Sequence, residues 1–315
     1  MKVTEHLATA TKPPISFEII PPLRGGDVQG LLSLIDDLVK FSPPFIDITS
    51  HAAESIYEET AQGIERRVKR KRPGTLGVCA LIQNKYGIDA VPHILCQGFT
   101  REETEDFLIE LRYLGIDNVL AVRGDDSGFE KPLHYGRSAN RYASDLVAQI
   151  TAMNRGRYLE ADLLDAEPTR FCIGVGGYPE KHFEAPNLHL DVRHVKEKID
   201  AGADYVVTQM FFDNRHYFRF VELCREQGIA APLIPGLKIL TSEKQLASIP
   251  RTFYVDIPEE LADQVLDDPA HAVDIGVEWA LRQSEELLAK GAPSLHFYVM
   301  QNAGAIKKLM ANLRL

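Results

Sequence analysis

Short β-branched and apolar runs alternate with longer segments of helical period along almost all of this 315-residue chain. That alternation constrains the fold more than any other feature, because apolar runs of about four to eight residues read as strands covered on both faces by intervening helices. The candidate strands are "ISFEII" (15–20), "FIDIT" (45–49), "VPHILC" (91–96), "NVLAV" (118–122), "FCIGVG" (171–176), "YVVTQ" (205–209), "PLIPG" (232–236) and "LHFYVM" (295–300). Their number suits a closed parallel ring, and a barrel of that kind uses about 200 to 400 residues as one unit. The expected fold is α/β: a (β/α)8 TIM barrel in which residues 1–315 form a single domain with a short N-terminal lead-in. An open doubly wound sheet with a small helical addition is the alternative, and it needs a strand order that local pattern does not encode.

The connecting segments carry helical signals. Val28, Leu31, Leu32, Ile35, Leu38 and Val39 recur at three- and four-residue steps and so share one face. Thr100, with Glu103 three residues on, has the spacing of a capping box. "TLGVCAL" (75–81) reads as a strand by propensity and, continued through "IQNKYG", as a helix ending at Gly87. Two polar insertions, "GDDSGFEKPLHYGRSANR" and "GRYLEADLLDAEPTR", are too short for interdomain linkers.

Charge and cysteine content exclude several roles. With 35 Lys+Arg against 45 Asp+Glu, the net charge is −10, which opposes general nucleic-acid or membrane-surface binding. A localised cationic pocket remains compatible with that balance. Cys79, Cys96, Cys172 and Cys224 are scattered without metal-ligand spacing, as in a reduced chain with no structural metal site. The N-terminal "MKVTEHLATATKPP" lacks a signal-peptide apolar core, and no apolar stretch approaches the ~18 residues of a membrane span. A soluble cytoplasmic protein is expected.

Glu18 is the most informative single residue. It interrupts the apolar run of the first strand, and Pro21 and Pro22 end that strand soon after, leaving Glu18 near the C-terminal mouth where barrel active sites lie. A carboxylate there is either a structural ion pair or a group whose pKa burial raises, able to hold and deliver a proton. A second polar cluster, Arg123, Gly124, Asp125 and Asp126, follows the fourth strand; a plain strand-end turn is the competing explanation. "GVGGYPEKH" after the fifth strand has Pro179 where a dinucleotide fingerprint requires its last glycine, so no Rossmann site is supported. Gln209 offers a two-way hydrogen-bonding amide beside Phe211 and Phe212, which read as core.

Taken in order, "SFEIIPP", "FIDIT", "PHILC", "VRGD", "GGYPEKH", "KIDAGADYVVTQMFFD", "IPGL" and "LHFYVM" resemble the methylenetetrahydrofolate reductase family over nearly the whole chain. The resemblance implies an FAD-binding catalytic barrel, with NAD(P)H and 5,10-methylenetetrahydrofolate taking turns at one flavin face in one-carbon metabolism. It implies Glu18 and Asp125 as catalytic residues. Flavin contacts are implied for Thr49, Ala52, His93, Arg123, Gly124, Asp125, Tyr142, Ala143, Tyr178, His182, Asp191 and Lys198, and substrate contacts for Glu18, Gln209 and Gln245. Without it, His93 would read as a core histidine and Lys198 as part of a solvated helix face. Self-association into a homo-oligomer is a further expectation.

The chain departs from the family pattern at Asn302, where an Arg is common, and at Ile249, where some relatives carry a capping aromatic. Ser50, His51, His194 and Glu197 also differ. Alternatives on the same barrel are a flavin dehydrogenase of the proline-oxidation kind, a phosphate-binding aldolase, and a non-catalytic folate-binding relative. The aldolase requires a buried lysine on an interior strand, and the strand cores contain none. No ribose fingerprint separates NADH from NADPH.

Overall fold

The computed structural model describes residues 1–70, 72–124 and 131–314. Eleven strands are formed among the described residues: β1 (Ile15–Ile19), β2 (Phe45–Ile48), β3 (Glu54–Thr60), β4 (Gly63–Lys69), β5 (Asp89–Leu95), β6 (Asn118–Val122), β7 (Cys172–Gly177), β8 (Tyr205–Thr208), β9 (Leu233–Ile234), β10 (Gly236–Leu237) and β11 (Leu295–Met300). Nine join one sheet in the order β10-β11-β1-β2-β5-β6-β7-β8-β9, and every pairing in it is parallel. The two ends of that order, β9 and β10, are halves of one segment interrupted at Pro235, so the ring closes through a proline that has no N–H for the ladder. Eight staves result. The chain is a (β/α)8 barrel.

Alternation along each strand divides the interior from the helix-facing surface. Ile15, Phe17 and Ile19 of β1 and Ile46 and Ile48 of β2 enter the large cluster beneath the helices. Phe45, Val91, Leu120, Cys172, Tyr205, Val207 and Ile234 pack together inside the ring, with Val3. Val3 belongs to the helix Val3–Thr9, whose start is fixed by the Val3 N–H donating to Asn118 Oδ1 (2.8 Å). The lead-in therefore closes the N-terminal end of the barrel. The opposite end remains open to polar side chains.

The helical expectations hold in outline, with one correction to the first face: Val28 is exposed and Leu32 and Val39 are only half-buried, while Leu34 joins the buried side. In the helix Val28–Val39 the buried positions are Leu31, Leu34, Ile35 and Leu38, each contributing roughly 1.5–3 kcal/mol of burial, and Asp27 caps the first turn through Gln29 and Gly30. Thr100 and Glu103 form the reciprocal capping box, at 3.2 Å and 2.8 Å. The ambiguous segment is helical: Thr75–Leu81 runs into a π-helical turn, Ile82–Tyr86, stopped by Gly87 at φ +66°. Helix wins because Val78, Cys79 and Ile82 then face the core together.

One element had no counterpart in the sequence reading. β3 and β4 form an antiparallel hairpin apart from the barrel sheet, with Lys69 and Arg67 both paired to Glu58. Its strands lack the apolar alternation that marks a half-buried strand, and β4 is exposed throughout.

Candidate active site at the barrel mouth

The C-terminal mouth gathers an unusual set of buried ionisable groups. Glu18 Oε1 accepts a hydrogen bond from the Thr49 hydroxyl (2.7 Å), while Glu18 Oε2 lies 3.5 Å from His93 Nε2 and 3.6 Å from His296 Nε2. Asp47 is the register partner of Glu18 across the β1–β2 ladder and points into the same space. A bulge helps to aim Glu18: the β1–β11 register jumps from Glu18↔Tyr298 to Ile19↔Met300, and Met300 adopts φ +67°. Lys238, directly after β10, donates from Nζ to the Tyr298 carbonyl (2.7 Å), and the Tyr298 hydroxyl donates to the Thr208 carbonyl (2.6 Å).

These neighbours reverse one expectation. Burial pushes the Glu18 carboxyl upward, but His93, His296 and the Thr49 hydroxyl outweigh it and hold the pKa at about 2. Glu18 is thus ionised in the ligand-free protein, instead of carrying a burial-raised pKa, because two imidazoles replace the lost water. The raised carboxyl is Asp47: burial lifts it to about 7, His296 works against that rise, and Glu18 reinforces it. Burial depresses Lys238 to about 8, opposed by Glu18. Asp47, His296 and Lys238 were missed in the sequence. The signal that marked Glu18, a charged side chain inside an apolar run, is equally present in "FIDIT" and "LHFYVM".

A second cluster lies on the β6–β7 side. Arg123 pairs with Glu184 (2.6 Å), the His182 backbone N–H donates to Asp191 Oδ2 (2.7 Å), and Lys198 Nζ donates to the Gly176 carbonyl (2.5 Å). Burial lowers Lys198 to about 8 despite Asp191 nearby, so Lys198 is a partly buried cation and not a solvated helix residue. Burial first, then Arg123, lowers His182, which leaves it neutral near pH 7 and available as a hydrogen-bonding ring. Tyr178, His182, Phe183 and Tyr254 form a row of ring contacts, ending in a stacked Phe183–Tyr254 pair at 4.8 Å.

The remaining candidate positions divide. Ala52 lies against Gly98, where an added Cβ would come within 2.9 Å of the Ala52 Cβ and where φ is +79°. Gly124 has φ +91° beside Gln97. Tyr142 caps the helix Ala143–Met153, is exposed, and stacks beneath Arg141. Gln209 Oε1 accepts from its neighbour Met210 N–H (2.9 Å), and Gln245 Oε1 accepts from Thr241 N–H (2.6 Å). Asp125 lies outside the described residues. Ile249 is buried with Met210, Phe212 and Leu240, and Asn302 caps Gly304 N–H (2.7 Å). His194 and Glu197 pair on an exposed helix surface (3.1 Å).

A cavity of about 570 Å³ opens beside the Glu18 cluster between Ser50, Arg70, Thr75, His93, Phe99 and Lys131, a size typical of small-molecule sites. Nearby, Gln97 Oε1 is buried without a hydrogen-bond partner. The lining is of mixed charge, Arg70 and Lys131 standing beside Glu103, Asp106 and Glu110, with Lys131 paired to Glu103; Arg123 and Lys198 belong to the neighbouring cluster on the β6–β7 side. Among the described residues no His/Cys/Asp/Glu cluster is arranged to hold a metal ion, and no helix is long and apolar enough to cross a membrane.

Comparison with known proteins agrees with this architecture. A family model described as methylenetetrahydrofolate reductase matches residues 2–314. Methylenetetrahydrofolate reductase 1 of Schizosaccharomyces pombe is 31% identical over the whole chain, which spans 49% of that relative. The 5,10-methylenetetrahydrofolate reductase of Escherichia coli is 30% identical, with 92% of this chain and 86% of that relative covered. The chain spans about half the length of the eukaryotic relatives it matches. Among solved structures, an uncharacterized protein from Clostridium thermocellum that binds two copies of 5-methyl-5,6,7,8-tetrahydrofolic acid superposes with a TM-score of 0.58 at 13% identity, covering 98% and 96% of the two chains, a likeness of fold.

Proposed function

The chain belongs to the methylenetetrahydrofolate reductase family, and from that premise we propose that it reduces 5,10-methylenetetrahydrofolate to 5-methyltetrahydrofolate with NAD(P)H, in a ping-pong cycle on bound FAD. The observation that carries this reading is the convergence of Glu18, Thr49 and His93 at the open mouth, beside a cavity of about 570 Å³ that His93 also lines. When bound, FAD supplies the hydride chemistry, and the protein supplies position and charge.

Thr49, Ala52, His93, Arg123, Gly124, Tyr142, Ala143, Tyr178, His182, Asp191 and Lys198 are assigned to hold the cofactor. Lys198 and Arg123 offset its pyrophosphate, which lets an acidic protein retain an anionic ligand. Glu18 donates a proton to N10 of the folate as the C–N10 bond of the five-membered ring breaks, with the bonding electron pair going to N10. Because Glu18 is a carboxylate in the ligand-free protein, it takes up that proton when bound substrate covers the mouth and displaces water. Asp125 is assigned to stabilise the resulting 5-iminium cation electrostatically, and Gln209 and Gln245 to orient the substrate. A cytoplasmic homo-oligomer is part of the same proposal.

Purified protein tests it. A yellow preparation that releases FAD on denaturation, is bleached by NAD(P)H without oxygen, and regains its colour with 5,10-methylenetetrahydrofolate is expected. A colourless preparation that FAD fails to reconstitute overturns the reading. Folate binding without flavin reduction points instead to a non-catalytic relative.

A further inference from the structure

Asp47 is a carboxyl with zero exposure, and neither of its oxygens has a hydrogen-bond partner. A buried acid of that kind costs several kcal/mol unless it is neutral or faces a cation, and an apolar residue would fill the same place without that penalty. The nearest candidates for a cation are two imidazoles: His296 Nδ1 lies 3.9 Å from Asp47 Oδ2, and His93 Nε2 lies 4.0 Å from Asp47 Oδ1.

The His296 ring is placed between two acids. Its Nδ1 faces Asp47 and is 2.8 Å from the Ser16 hydroxyl oxygen; its Nε2 faces Glu18 Oε2 at 3.6 Å. The Ser16 hydroxyl is within 3.5 Å of the Leu295 carbonyl, which can take its hydrogen and free a lone pair for an N–H at Nδ1. We propose that Asp47 is a positioning residue that holds His296 protonated at both ring nitrogens, so that His296 supplies the proton Glu18 passes to the substrate. The inference rests on the assignment of Glu18 as the acid made above.

The proton leaves His296 Nε2 for Glu18 Oε2, and Glu18 then transfers it to the departing nitrogen. His296, neutral after the step, recovers a proton from solvent when product leaves. The 3.6 Å gap closes to hydrogen-bond length with a shift of about 1 Å. Other titratable groups face this centre: His93 from β5, Lys238 after β10, Tyr298 from β11, Tyr205 from β8 and Cys79 from the helix Thr75–Leu81. Burial keeps both tyrosines and the thiol neutral in the working range. His93 and Lys238 remain as competing cations. The direction of titration agrees with the geometry: burial disfavours a charged His296, yet Asp47 and Glu18 raise it above its ordinary value.

The test uses nitrogen-15 NMR of the histidine rings in the full ligand-free chain, with wild type, Asp47→Asn and His296→Gln, the last to assign the signal. The His296 ring is expected to remain an imidazolium above its ordinary titration range in wild type. In Asp47→Asn its midpoint should fall by at least about one pH unit, tenfold in proton affinity, and the pH profile of the folate half-reaction should move in the same direction. A His296 ring that is neutral at pH 7 in wild type overturns the proposal, and this measurement requires no variant to fold. An unchanged midpoint in folded Asp47→Asn also overturns it. Failure of the underlying assignment has a different signature: Glu18→Gln would retain folate reduction while the Asp47–His296 coupling persisted in the ligand-free protein.

Discussion

The Thr49 hydroxyl donates a 2.7 Å hydrogen bond to Glu18 Oε1, joining the end of the second barrel stave to the acid of the first. Its other contact, to the Ile19 carbonyl at 3.2 Å, shares the same hydrogen, so the carboxylate is the shorter and charged acceptor. This bond is one of the reasons Glu18 stays ionised.

Replacing Thr49 with Val should therefore weaken the fold in a pH-dependent way. Glu18 has a folded-state value of about 2 against an ordinary 4.5. Its carboxylate contributes stability that is fully present above pH 4.5 and lost as pH falls toward 2. Thr49→Val should cost roughly 1.5–3 kcal/mol at neutral pH, the deficit shrinking in acid, whereas Thr49→Ser should behave nearly as wild type. Chemical denaturation at a series of pH values measures the difference; a deficit constant down to pH 2 would remove this bond as its cause.

Glu18→Gln should separate the two half-reactions. Bound FAD and its reduction by NAD(P)H should survive, while folate reduction falls by at least ~100-fold, the scale of general acid catalysis. Anaerobic stopped-flow absorbance follows each half-reaction independently. Folate reduction at the wild-type rate would exclude Glu18 from proton transfer.

Lys238→Met should stabilise the protein at neutral pH. The ammonium is held at about 8 against an ordinary 10.5, so the stability this group contributes is present above 10.5 and is lost as pH falls through 8. Removing the charge should raise stability at pH 7 by on the order of 1–2 kcal/mol after discounting the lost bond to Tyr298. That gain should vanish near pH 10.5. Thermal melts at both pH values check the sign, and a variant less stable at pH 7 than at pH 10.5, relative to wild type, contradicts it.

Gly276→Ala should be severely destabilising. A Cβ there would sit 1.8 Å from the Leu240 carbonyl oxygen, where the helix Ala272–Ala289 meets the segment following β10. Backbone must move to admit a methyl group, at a cost of at least ~3 kcal/mol. Urea denaturation gives the value; a loss below 1 kcal/mol would show that the helix shifts freely.

The legible part of the site was the part announced by contrast. Glu18 stood out because prolines follow it and apolar residues flank it, and its place at the mouth follows from that local pattern. Asp47 and His296 carry the same contrast, but their meaning depends on facing Glu18, and strand register across the ring brings them there. The β3–β4 hairpin escaped because its strands bury too little for apolar alternation to develop.

By itself the sequence determined the alternation of strands and helices and the capping of Thr100, since each depends on period or local hydrogen bonding; closure of the ring into eight staves and the helical state of Thr75–Leu81 were settled by packing between distant segments. Only the tertiary structure decided the charge state of Glu18. Isolated in an apolar strand it would keep its proton; with Thr49 from the end of β2, His93 from within β5 and His296 from the start of β11 converging on it, the ionised form is favoured and the raised value passes to Asp47. Electrostatics acts across a few ångströms of space, and those ångströms are set by groups up to 278 positions distant in the chain, from Glu18 to His296 (296 − 18).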